Sequence, residues 1–80
     1  MGRRHEPQEA LGRAIRQLRD ERGLKQKELA HAADMNVTAI SHLEHGRANP
    51  AWGTVKRIAG ALGVTVSEVA ARADQLGDAD

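Results

Sequence analysis

Apolar side chains recur along the chain at intervals of three and four residues, the spacing of one face of an α-helix. Leu11, Ile15 and Leu18, with Ala14 beside them, mark such a face on a helix that opens near Pro7. Gly23 is placed to stop it as the residue after the C-cap, with Leu24 folding back as the accompanying apolar contact. A second helix is predicted from about Gln26 to Ala33, with Leu29, Ala30 and Ala33 inward, and Asp34, Met35 and Asn36 form the joint after it. Asn36 is a favourable N-cap for a third helix over Val37–His45, with Ile40 and Leu43 inward and Gly46 as its stop. Asn49-Pro50 then turns the chain into a fourth helix, from about Trp52 to Leu62, whose inward residues are Val55, Ile58, Ala59 and Leu62. The last helix begins at Thr65, where Thr65 and Glu68 have capping-box spacing and Val64 and Val69 the spacing of a hydrophobic staple. Short helices with brief joints predict an all-α, five-helix orthogonal bundle, since such joints cannot build a long antiparallel one.

The chain's 80 residues suit a single domain. Residues 1–6 (MGRRHE) read as a flexible basic arm, 7–73 as the folded domain and 74–80 as a flexible acidic tail. There is no cysteine, which excludes disulfides and thiolate-held zinc, so packing alone must hold the fold. Trp52 is the only aromatic residue, so the core must be aliphatic, and Trp52 itself is expected to plug that core at the start of the fourth helix. No apolar run approaches the length of a membrane span, which makes a soluble, cytoplasmic protein the expected class.

Bulk charge adds little, because Lys and Arg exceed Asp and Glu by only one. Its distribution says more: eight Lys/Arg precede residue 28 while the C-terminal end is acidic, so the tail masks a more basic body. For catalysis there is no case. No Gly-rich phosphate loop follows a strand, no nucleophile sits in an elbow, and no carboxylate pair falls in an apolar setting. His42 and His45 have a spacing that suits metal ligands, but no further ligand accompanies them and His31 belongs to another helix. Neither metal nor cofactor is expected. These histidines read instead as surface groups.

Residues 26–45 carry the function. Two short helices, a brief joint and a small Ala30 where the backbones approach describe a helix-turn-helix. The stretch GLKQKELAHAADMNVTAISHLEHGRANP, continued by VKRIAGALGVTVSEV, resembles the lambda-repressor-like (Cro/cI, or XRE) helix-turn-helix proteins of bacteria and phages, over roughly residues 10–71. Its most specific elements are Gln26, Leu29-Ala30, Ile40-Ser41, Glu44 with Gly46, Asn49-Pro50 and Leu62-Gly63-Val64.

The resemblance implies a DNA-binding transcriptional regulator whose recognition helix, 37–44, enters the major groove of double-stranded DNA. Val37, Thr38, Ala39, Ser41 and His42 would face base edges, the polar ones by hydrogen bonds and Val37 and Ala39 against thymine methyls. None is the Arg or bidentate Gln of the most discriminating pairings, so part of the specificity is expected from DNA shape. Gln26 would clamp a phosphate at the start of the second helix, with Lys25, His45, Arg47 and Asn49 holding the backbone on either side. Arg19 and Glu44 match a buried ion pair of the family. The resemblance also implies a homodimer on a two-fold operator, its half-sites about 34 Å apart, with Val66, Ala70 and Ala73 as a candidate seam. Two positions depart from the family pattern. Asp34 stands where glycine is usual and should adopt a left-handed backbone with slight strain. Lys25 replaces a Ser or Thr cap, a loss of about 0.5–2 kcal/mol, although Glu28 keeps the other half of the capping box. The alternative reading is an antitoxin-like adaptor that grips another protein around Trp52 or the last helix. Non-specific RNA binding is disfavoured by the lack of interleaved aromatics.

Overall fold

The computed structural model describes residues 7–78, which form α1 (Pro7–Glu21), α2 (Gln26–Ala32), α3 (Val37–Glu44), α4 (Trp52–Leu62) and α5 (Val66–Asp78), with no strand among them. The sequence-predicted order holds, and α2 and α3 each end one residue early, on Ala33 and His45 as C-caps.

One device ends α1 through α4. After the last turn a residue enters the left-handed region, and the amide beyond it returns to a carbonyl five residues back. These bonds are Leu24 N–H to Arg19 O (3.1 Å), Met35 to Ala30 (2.8 Å), Arg47 to His42 (2.8 Å) and Val64 to Ala59 (3.0 Å). Glycine fills the left-handed position at three of these ends, and Asp34, with φ 57°, fills it at the joint of the helix-turn-helix. Asp34 therefore adopts the expected conformation, and the turn keeps its shape without glycine.

The helix starts are specified by side chains. Asn36 Oδ1 accepts from Ala39 N–H at 2.9 Å. Thr65 Oγ1 accepts from Glu68 N–H while Glu68 Oε1 accepts from Thr65 N–H, both at 3.0 Å, which completes the reciprocal box. At α2 only half of that box exists: Glu28 Oε1 accepts from Lys25 N–H at 2.8 Å, and lysine has no oxygen to return the bond.

The core is aliphatic throughout. Ile15, Leu18, Leu29, Ile40, Leu43, Ile58, Leu62 and Val69 are buried, with Ala30, Ala33 and Ala59 filling the close approaches. Each large side chain among them contributes about 1.5–3 kcal/mol relative to exposure. Leu24 and Val64, the residues that follow two of the helix stops, pack on this cluster as expected. Val55, expected inside, is half-buried. One approach has no apolar signature. A Cβ on Gly12 would collide with the Leu43 carbonyl oxygen and lie 3.0 Å from that of Glu44, so α1 and the end of α3 meet backbone to backbone.

Two expectations are corrected. Trp52 does not plug the core; it is 66% exposed. As the first residue of α4 it has no helical turn behind it, and a helical side chain leans toward the N-terminus, so the indole projects past the end of the helix. The acidic end does not fray at residue 74 either, because α5 continues to Asp78. It lies along α1, with Leu76 half-buried, Gly77 beside Ala10, and Arg72 Nη1 bonded to Glu21 Oε2 at 2.6 Å and to Gln17 Oε1 at 3.1 Å. The arm predicted at 1–6, and residues 79–80 of the tail, lie outside the described residues.

Candidate nucleic-acid interface

α3 has two unlike sides. Ile40 and Leu43 are buried against α1 and α2, in the cluster that contains Ala30. The other side is left to solvent: Val37 is 42% exposed, Thr38 and His42 are exposed, and Ala39 and Ser41 are half-buried. The five residues named for base contact thus share a helix that its own fold leaves accessible, with Thr38 and His42 the least covered of the polar ones.

The fold holds that helix from its C-terminal end. Arg19 Nε donates to Glu44 Oε2 at 2.6 Å and Arg19 Nη2 donates to Glu44 Oε1 at 3.0 Å, a fork-to-carboxylate pair with both residues buried. Arg19 Nη1 adds a 2.8 Å bond to the Leu24 carbonyl, tying the pair to the turn after α1. Hydrogen bonding of Arg19 to the Glu44 carboxylate is the main cause that holds Arg19 charged beyond its ordinary range, against the opposing effect of burial. The ion pair expected from the resemblance is present, and no buried side-chain polar atom among the described residues lacks a partner.

Gln26 belongs to the same network. Its Nε2 donates to Glu44 Oε1 at 2.9 Å, so this residue, named for a phosphate clamp, has its amide oriented by the carboxylate. The second hydrogen on Nε2, and the first-turn amides of α2 that have no carbonyl acceptor within the helix, suit another acceptor. The sequence signal for Gln26 was its place at the start of α2; nothing in the spacing indicated that it would bond Glu44, 18 residues away.

The flanking residues are accessible. Lys25, His45, Arg47 and Asn49 are all exposed. His45 Nδ1 lies 2.8 Å from the Ser41 carbonyl oxygen, which can only accept, so Nδ1 carries the proton in this contact. Charge separates along the fold. From Met35 to Ser67 the only carboxylate is Glu44, which is buried and paired, whereas Arg47, Lys56, Arg57, His42 and His45 all lie in that span and are exposed. α3, the loop after it and α4 therefore expose no acidic side chain, a surface suited to a polyanion despite the near-neutral total. Among the described residues no cluster of three His, Asp or Glu side chains is placed to hold a metal ion, and no helix is long and apolar enough to cross a membrane.

The chain is similar to proteins of known class. A family model described as "Helix-turn-helix domain" matches residues 10–71. Over 64 residues the chain is 41% identical to the HTH-type transcriptional regulator DdrOP3 of Deinococcus deserti, a match covering 80% of this chain and 50% of that protein. Over 59 residues it is 37% identical to the immunity repressor protein of Bacillus phage phi105, covering 74% of this chain and 41% of the relative. The chain thus spans half or less of the length of these two curated relatives. Among solved structures, the clp gene regulator ClgR from C. glutamicum superposes with a TM-score of 0.92 at 30% identity, covering 96% of this chain and 99% of that one. The restriction-modification controller protein C.AhdI from Aeromonas hydrophila gives 0.76 at 26% identity, covering 78% and 94%.

Proposed function

The chain belongs to the helix-turn-helix domain family, and on that premise we propose that it is a sequence-specific, DNA-binding transcriptional regulator of the cytoplasm, a binding module and not an enzyme. The observation that carries the proposal is the two-sidedness of α3: Ile40 and Leu43 are buried while Val37, Thr38 and His42 stand free. α3 lies in the major groove, where Thr38, Ser41 and His42 offer hydrogen bonds and Val37 and Ala39 offer apolar contact to thymine methyls. Lys25, His45, Arg47 and Asn49, with Gln26 held in register by Glu44, grip the phosphates on either side. The relatives' printed names, a transcriptional regulator and a repressor, support this reading.

The protein acts as a homodimer, since one eight-residue helix reads too few bases to define a site. The seam expected on α5 receives limited support: Ala70 is exposed, but Val66 packs on the core and Ala73 is half-buried.

Selection of duplexes from a random pool, followed by binding measurements across a salt series, tests the proposal. The expected outcome is an enriched inverted repeat with half-sites about one helical turn apart, and log affinity falling against log salt with a slope of about −4 to −5 if about five cationic groups engage phosphates. An unenriched pool together with a flat salt response overturns it.

A further inference from the structure

Trp52 is the largest apolar side chain left in solvent among the described residues, and the DNA contacts proposed for α3 and its flanks do not involve it. Its neighbours add no cover: Ala51 and Gly53 are exposed, and space for a Cβ on Gly53 meets no atom within 4 Å. The indole stands eight residues beyond the end of α3, at the far side of the loop 45–51 that carries His45, Arg47 and Asn49. One turn further along α4 come Lys56 and Arg57, both exposed. Along the chain the indole is therefore flanked by exposed cations on both sides, within the span from Met35 to Ser67 that exposes no carboxylate. An apolar ring framed this way opposes the docking of a second basic surface and complements a polyanion with apolar elements of its own. The deoxyribose rings between DNA phosphates fit that description.

We propose that Trp52 is a DNA-positioning residue that packs on the sugar–phosphate backbone beside the recognition helix, its indole face on deoxyribose and its Nε1–H donating to a phosphate oxygen. Contact of this kind fixes how deeply and at what angle α3 sits, and carries no base sequence itself. The inference rests on the proposed DNA-binding function and extends it from α3 and its loop to α4.

The sole tryptophan, in a chain without tyrosine or phenylalanine, makes the test direct, because all aromatic emission comes from this site. The probes are two fluorescein-labelled duplexes of unrelated sequence, each about 30 base pairs, long enough for two half-sites. Quenching of Trp52 by acrylamide is followed in unlabelled copies of the same duplexes. The free protein is expected to be readily quenched at every protein concentration, and the duplex-bound protein to be protected. Trp52→Ala is expected to bind both duplexes about tenfold more weakly, the size of losing a partly buried aromatic contact, with its thermal melt and salt slope unchanged. Trp52→Phe recovers part of the loss. Arg47→Ala separates the two kinds of contact, since it lowers the salt slope by about 1 for each subunit on the duplex. Protection that rises with protein concentration before any DNA is added assigns Trp52 to a second copy and overturns the inference. So does wild-type affinity of Trp52→Ala on both duplexes. If the wild-type protein binds neither duplex at low salt, the DNA-binding reading falls and this contact falls with it.

Discussion

Arg19 and Glu44 lie 25 residues apart in sequence and share a two-pronged ion pair, Nε to Oε2 at 2.6 Å and Nη2 to Oε1 at 3.0 Å, at the junction of α1, α2 and α3. An eight-residue helix is too short to hold a direction on its own propensity. Its bearing comes from Ile40 and Leu43 at its base and from this carboxylate at its end. The same carboxylate orients Gln26 at 2.9 Å, so the start of α2 and the end of α3 are set by one group.

Removing one partner leaves the other charge buried and alone. Glu44→Ala is therefore expected to cost about 3–5 kcal/mol, a large share of the roughly 5–15 kcal/mol that holds such domains together. Urea denaturation followed by circular dichroism measures it. Replacing both residues, Arg19→Met with Glu44→Leu, should recover most of the stability, because no unpaired charge remains. A Glu44→Ala variant as stable as wild type would show that the pair is not what holds α3.

Two glycines in helix interiors should respond to alanine in opposite ways. A Cβ at Gly12 collides with the Leu43 carbonyl, whereas one at Gly60 meets no atom within 4 Å. Gly12→Ala must push α1 off α3 and is expected to cost about 1–3 kcal/mol or more. Gly60→Ala is expected to gain about 0.5–1 kcal/mol, the helix preference of alanine over glycine. Paired denaturation curves check both signs.

These cases show what the sequence could and could not disclose. The helices were legible because apolar period, stops and caps agree: Asn36, Gly46, and Thr65 with Glu68 each act where their chemistry places them. The exposed side of α3 followed from the buried one. Trp52 was misplaced because its size argued for the core, while its position at a helix start, with no turn behind it, left it nothing to pack on. The run from Asp74 looked frayed by composition, but the Arg72–Glu21 pair and the approach of Gly77 to Ala10 dock α5 on α1, contacts of more than 50 residues' separation that no local pattern carries. Gly12 gave a faint signal, as an isolated glycine inside a helical pattern, but the carbonyl it faces is fixed only by the fold.

Asp34→Gly tests the strain at the helix-turn-helix joint. Asp34 holds φ at 57°, where a side chain costs roughly 1–2 kcal/mol and glycine nothing. Glycine also gives the unfolded chain more freedom, which returns about 0.4–1 kcal/mol of that gain. The net expectation is a stability equal to wild type or up to about 1.6 kcal/mol higher, with the fold unchanged. A loss beyond 1 kcal/mol would mean that the aspartate side chain supports the turn.

The Arg72–Glu21 pair links α5 to α1 in an exposed setting, and its hydrogen bond is the main cause holding the Glu21 carboxyl below its ordinary range. A depressed carboxyl stabilises the fold above its unfolded titration point, and the contribution disappears as pH falls through the folded one. Glu21 should therefore titrate, by NMR, below the ordinary glutamate range, and return toward it in Arg72→Ala. The melting temperatures of wild type and Arg72→Ala should differ most near neutral pH and converge in acid, and high salt should shrink the difference. A Glu21 titration unmoved by Arg72→Ala would assign the shift to another group.

Substitutions on α3 and in its flanking loop should separate reading from gripping. Thr38 and His42 are exposed and Ser41 half-buried, and none engages the carbonyls or carboxylates that fix the helix through its own side chain. Thr38→Ala, Ser41→Ala and His42→Ala should therefore leave the melt close to wild type, since surface changes of this kind stay within about ±0.5 kcal/mol. Each that reads a base should flatten preference at one operator position in both half-sites by about 1 kcal/mol, less than a bidentate arginine pairing gives. Arg47→Ala, by contrast, should weaken all sequences alike and reduce the salt slope. Because single hydrogen bonds supply little discrimination, positions that no side chain touches should also show preferences, through groove width and bending. Binding to operator variants, compared position by position across the set, decides it: His42→Ala with unchanged discrimination removes His42 from the reading set and leaves Thr38 and Ser41 to carry it.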